Sequence, residues 1–202
     1  YGYLNSIILA RRYAKTAGRL LSRREYDCIF APAASQVIAF LDTHVPIVYS
    51  SDSTFALMNN YYRRFSDLLP ISKRGGEILE SKSIQNASLI VYPSDWAAQS
   101  AIRDYGADAK KVHVIPYGAN FEKIPPKEAL FRKEQSKRCR LLFLGVDWQR
   151  KGGEIAFETL VELQKLGLDS ELIVCGCTPP AKYSHQRMTV IPFLDKNNEQ
   201  DS

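Results

Sequence analysis

Apolar residues recur along this chain in two rhythms, one helical and one strand-like, and the two alternate. Leu4, Ile7, Ile8, Tyr13, Ala14, Ala17, Leu20 and Leu21 keep helical spacing, which predicts an amphipathic helix over about residues 3–24. Asp27 to Ala31 is a short apolar run ended by Pro32 and reads as a strand. Ser35 caps a short helix through Leu41. Pro46-Ile47-Val48-Tyr49 reads as a second strand, with Ser50-Ser51-Asp52-Ser53 as the polar loop at its end. A helix over about residues 72–85 and a strand over 88–92 follow. Pro93 breaks that strand, Ser94 or Asp95 caps the next helix, and Gly106 closes it. Val112 to Ile115 is a further strand, stopped by Pro116.

Helices alternating with continuous apolar strands predict an α/β fold with a parallel sheet covered on both faces. The pattern lapses between Tyr117 and Lys137, where Gly118, Pro125 and Pro126 stand among many charges and mark a linker. It then restarts: a strand over 140–144, a loop from Gly145 to Gly153, a helix over 154–166 ended by Gly167, and strands over 171–175 and 188–191. Two domains are therefore expected, residues 1–130 and 131–202, the second too short for a complete doubly wound sheet. The chain reads as a piece of something longer.

Of the 202 residues, 45% are hydrophobic and 24% charged, which excludes a disordered or fibrous chain. No run approaches the roughly 20 apolar residues that span a bilayer, and no signal peptide is visible. The net charge of +5 favours anionic partners. Arg11, Arg12, Lys15, Arg19, Arg23 and Arg24 form either the solvated face of the first helix or a contact for a membrane surface or anionic substrate. Nucleic acid fits poorly, because the charge is modest and no stacking motif accompanies it. Cys28, Cys139, Cys175 and Cys177 include no Cys-x-x-Cys pair and fall largely in strand-like runs, so reduced, buried thiols and a cytoplasmic location are expected and a metal site is not. The sequon Asn86-Ala87-Ser88 abuts a predicted strand and reads as chance.

Three segments could carry chemistry. In Gly145-Val146-Asp147-Trp148-Gln149-Arg150-Lys151-Gly152-Gly153, a strand end meets a helix start, where free amides attract anions, and Lys151 adds a full positive charge. The segment is neither a P-loop nor a Gly-x-Gly-x-x-Gly fingerprint, and phosphate binding stands beside a plain capped helix. Pro93-Ser94-Asp95-Trp96 and Ile115-Pro116-Tyr117-Gly118-Ala119-Asn120 follow two other strands, as ligand contacts or as caps and turns. Asp52 is a base, a sugar-hydroxyl acceptor or a turn residue.

In order and spacing, the strand to Ser94 with its Trp96, Lys111 to Asn120, Leu142-Phe143-Leu144-Gly145, Lys151-Gly152 and Leu172-Ile173-Val174-Cys175-Gly176 resemble a family 4 glycosyltransferase. The resemblance runs over about residues 71–177. It implies the GT-B architecture, two Rossmann-like parallel-sheet domains, both incomplete in this chain. It also implies a retaining transfer of sugar from a nucleotide-diphosphate sugar to an acceptor, without a metal or other cofactor. The lysine before the glycine holds the donor diphosphate in such enzymes, which assigns Lys151 a catalytic role, with Gly145, Val146, Gly152 and Gly118 lining the donor site. Two positions depart from the family pattern. Val146 stands where an arginine is common, and Ser51 stands where a histidine often meets the donor sugar, so that either Ser51 or Asp52 takes over or the contact is lost. The glutamate pair of the donor site and the acceptor loop of the family are not found here, so this piece is expected to be nearly inactive alone. The alternatives are a GT-B binding or scaffold module without catalysis, and another GT-B enzyme such as a nucleotide-sugar epimerase or a glycogen-type synthase.

Overall fold

Ser6 opens the first helix by accepting a hydrogen bond from the Leu9 amide at 3.4 Å, and α1 runs over Ile7–Leu21. In the computed structural model, residues 5–62, 65–118, 124, 126–128 and 138–195 are described, and the chain divides into two units, Tyr1–Asn120 and Phe121–Ser202. In the first unit α1 is followed by β1 (Ile29–Pro32), α2 (Ser35–Ile38), β2 (Ile47–Ser50), α3 (Phe55–Met58), α4 (Pro70–Asn86), β3 (Leu89–Tyr92), α5 (Asp95–Tyr105), a 3-10 turn at Ala109–Lys111 and β4 (Val112–Val114). The second unit holds β5 (Cys139–Leu144), α6 (Gly153–Lys165), β6 (Ser170–Cys175) and β7 (Met188–Ile191).

Both sheets are parallel and their strands stand in chain order, β1-β2-β3-β4 in one unit and β5-β6-β7 in the other. The register pairs Ile29 with Ile47, Tyr49 with Ile90 and Ile90 with Val112, so these side chains share one face. That face carries the core of the first unit, where Ile47, Tyr49, Ile90 and Tyr92 meet Ala14, Ile38, Ile84, Ala97 and Ala101 from four helices. Ser83 and Asn86 of α4 stitch it to α2: Ser83 Oγ donates to Ser35 O at 3.0 Å, and Asn86 Nδ2 to Ile38 O at 2.9 Å.

Among the described residues the helices cover one face of each sheet rather than the two that the sequence pattern predicts. Strand order never reverses, so right-handed crossovers deliver each connecting helix to the same side. The other side stays open among the described residues, and Phe30 is 66% exposed there. In the second unit Phe143, Leu172 and Val174 pack with Leu160 and Trp148, each full burial contributing about 1.5–3 kcal/mol, whereas Leu142 and Leu144 on the opposite face are 66% and 70% exposed.

Pro32 is the last residue of β1, a position an edge strand tolerates because one row of its backbone groups has no ladder partner. Two smaller differences have local causes. Thr54 starts the short helix α3, which has too little periodicity to be seen in sequence. All four cysteines are free, but Cys28 and Cys139 are exposed rather than buried, because both stand at the entering ends of strands, outside the helical cover. The six basic residues of the first helical stretch are all exposed. No helix among the described residues is long and apolar enough to cross a membrane.

Candidate functional site

In the second unit the carboxyl end of β5 is built around glycines. Gly145 N continues the ladder to Cys175 O at 2.9 Å, and Gly176, with φ of +102°, turns away at the end of β6. A Cβ on Gly176 would lie 3.0 Å from Gly145 O, so the two strand ends close on each other. The loop then folds back through Asp147, whose carboxylate accepts from Arg150 N at 2.9 Å and whose carbonyl accepts from Lys151 N at 3.0 Å. This turn lays the Lys151 stem over Gly145, where an added Cβ would stand 3.0 Å from Lys151 Cγ. Trp148 is buried beneath, 5.1 Å from the Phe143 ring centre, and Gly153 passes so close that a Cβ would lie 2.2 Å from the indole.

The electrostatics of this loop are uneven. Arg150 sits 3.7 Å from the Asp147 carboxylate, but the exposed Lys151 ammonium has no ion pair among the described residues. Gly152, with φ of +77°, immediately precedes α6, and no side chain caps the helix. Glu154 in the first turn is held by the Tyr183 hydroxyl, with Lys182 Nζ at 3.9 Å. Val146 is 69% exposed. The arrangement offers an oxyanion one free cation and an uncapped helix start.

The corresponding edge of the first unit collects the other candidates. Ser51 N donates to Val91 O at 3.2 Å, and the buried Ser51 hydroxyl donates to Ser53 O at 2.8 Å. Asp52 is exposed. Behind them Thr54 and Ser100 share a 2.6 Å hydrogen bond, and Ser100 donates to Asp104, whose carboxyl is lowered to about 2, first by its hydrogen bond from Arg103 and then by that from Ser100. On the neighbouring strand Ser94 Oγ accepts from Ala97 N at 3.4 Å and caps α5, while Asp95 and Trp96 face solvent. Gly118 is exposed, and a Cβ there would meet nothing. Ala119 and Asn120, and Arg63 and Arg64 of the aromatic-basic stretch Tyr61 to Phe65, lie outside the described residues.

Beneath this edge is a buried acidic cluster that the sequence reading missed. The Tyr49 hydroxyl donates to both Glu80 oxygens at 3.2 and 3.3 Å, and Tyr105 Oη donates to Glu77 at 2.7 Å. Burial, and to a lesser degree the charge of Glu77, pushes the Glu80 carboxyl up to about 8 despite the opposing Tyr49 bond. Tyr92 Oη is close enough to feel Glu80, yet no atom among the described residues completes a hydrogen bond with it. The available signal was the spacing of Ser72, Gly75, Gly76, Leu79, Glu80, Ser83 and Ile84, a helical stripe made largely of small and polar residues. Among the described residues, no three His, Cys, Asp or Glu side chains gather as metal ligands would.

The family model described as Glycosyltransferase Family 4 matches residues 3–123, more than half of the chain. The match spans Ser51, Asp52, Trp96 and Gly118, and the loop from Gly145 to Gly153 lies beyond it. No curated protein matches the chain.

Proposed function

The chain belongs to glycosyltransferase family 4, and from that premise we propose that it serves a retaining, metal-independent transfer of sugar from a nucleotide-diphosphate donor to an acceptor. The observation that carries the donor assignment is the Lys151 ammonium, which has no ion pair among the described residues and whose stem folds across Gly145 at the carboxyl end of β5. When the glycosidic bond breaks, negative charge grows on the departing diphosphate. A fixed cation beside an uncapped helix start stabilises that charge more than it stabilises the bound donor. The same positive groups supply the neutralisation that a metal would otherwise give. In this reading Gly145, Val146 and Gly152 line the diphosphate site, Ser51 and Gly118 contact the donor from the first unit, and Asp52 is the group free to accept a sugar hydroxyl.

The exposed basic residues of α1 support a peripheral contact with an anionic membrane surface, and four free cysteines support a reducing, cytoplasmic location. A second reading, a binding module without catalysis, is favoured by two observations: Val146 contributes no charge, and the Ser51 hydroxyl is already engaged with Ser53 O. Titration of uridine and guanosine diphosphate into the protein tests the donor site. Binding that is lost in Lys151→Ala supports it, and equal binding in wild type and variant removes it. Donor hydrolysis or transfer by nucleotide-binding protein distinguishes the enzyme from the module.

A further inference from the structure

The loop between α3 and α4 holds aromatic residues that the proposed donor chemistry does not use. Phe65 is anchored edge-on against the buried Phe55, with ring centres 6.4 Å apart, and its amide donates to Tyr62 O at 2.7 Å. Asn60 adopts a left-handed conformation, φ +63°, and its amide donates to Phe65 O at 3.0 Å. This closed turn directs Tyr61 outward to Trp96, at 6.1 Å and 53° between the ring planes, with Tyr62 edge-on to Tyr61 at 4.9 Å. Tyr61 is 67% and Trp96 52% exposed, so packing alone does not account for the arrangement.

The position is informative. Trp96 follows β3, and Asp52 follows the adjacent strand β2, with Ser50 opposite Val91 in register, so both leave the same carboxyl edge where open parallel sheets place ligands. Asp52 and Asp95 are exposed and make no ion pair or side-chain hydrogen bond among the described residues. Two tilted aromatic faces on the same sheet edge as two exposed carboxylates suit a molecule with apolar C–H faces and hydroxylated edges, and disfavour an anionic headgroup. A pyranose ring has that chemistry.

We infer that Tyr61 and Trp96 form a saccharide-binding platform on the carboxyl edge of the first sheet, with Asp52 and Asp95 accepting sugar hydroxyls, so that the acceptor is a glycan. This rests on the glycosyltransferase reading for its role in transfer but not for its binding. The chain has two tryptophans, of which Trp148 is buried, so the indole N–H resonances of the 15N-labelled protein report on the platform, with Trp96 assigned through Trp96→Phe. Soluble hexasaccharides of glucose, mannose and N-acetylglucosamine are the probes. At least one moves the Trp96 resonance while Trp148 stays still. Tyr61→Ala weakens that binding about tenfold or more, and Tyr61→Phe holds it within about threefold. The inference is overturned if none of the three moves Trp96, if Tyr61→Ala binds as wild type does, or if anionic phosphatidylglycerol vesicles alone produce the shift. Nucleoside diphosphate binding, measured on the same samples, separates the two claims. Loss of saccharide binding with diphosphate binding intact sinks only the platform, and the reverse sinks only the donor site.

Discussion

The Lys151 stem folds across the side-chain position of Gly145: a Cβ placed there would stand 3.0 Å from Lys151 Cγ and 3.2 Å from its Cβ. This placement orients the stem of an otherwise exposed cation, because the glycine end of β5 leaves room for the lysine to fold back across it. A long charged side chain at the surface would otherwise sample many rotamers, and each lost rotamer is an entropic cost that binding need not meet again.

Lys151→Ala is expected to weaken nucleoside diphosphate binding at least tenfold, measured by isothermal titration. At an effective dielectric near 20, a charge pair at 4 Å is worth about 4 kcal/mol before desolvation, which leaves room for that loss. The wild-type affinity should also fall with added salt more steeply than that of the variant. If the proposed transfer is measured, the same substitution should cut turnover at least tenfold.

Gly145→Ala tests orientation separately from charge. The new methyl must push the Lys151 stem aside by a few tenths of an ångström, so affinity should fall severalfold while the thermal unfolding midpoint changes little. Affinity equal to wild type would show that the stem placement does not organise the site.

Gly153→Ala addresses stability. Its Cβ would lie 2.2, 2.4 and 2.6 Å from three atoms of the Trp148 ring, so the indole or the start of α6 has to move. A loss of about 1–3 kcal/mol is expected in urea unfolding, with a change in tryptophan emission as Trp148 shifts. Gly76→Ala, whose Cβ would lie 2.4 Å from the Phe55 ring, should destabilise the first unit instead.

Glu80 makes stability depend on pH in a defined direction. Its folded carboxyl keeps its proton up to about 8, whereas an unfolded one releases it near 4.5, so the folded state binds more protons between those values. Stability should therefore fall as pH rises across that window, at up to about 1.4 kcal/mol per pH unit from this group, and level off above it. Glu80→Gln, which keeps an oxygen for the Tyr49 hydroxyl, should flatten the slope. An unchanged slope in denaturation curves at pH 5, 6, 7 and 8 would show that Glu80 is ionised in the folded protein.

Much of the candidate site was legible before any coordinates. Gly145, Lys151 and Gly152 stand out because a glycine-bounded loop between an apolar strand and a helical stretch is a local pattern. Ser94 is a helix cap in sequence and in structure for the same reason. The position of Ser51 at a strand end was equally plain, but the engagement of its hydroxyl with Ser53 O was not, since that depends on how the following loop folds down.

What the sequence by itself determined is the order of helices and strands, their parallel α/β character and the family, because side-chain periodicity and turn chemistry act over a few residues. Tertiary structure alone decided which strand face is covered, since that follows from strand order and crossover hand. It also decided that Glu80 holds a proton among Tyr49 and Tyr92, and that Tyr61 meets Trp96. Those pairs are separated by tens of residues, and burial and contact across such distances exist only once the sheet has brought them together.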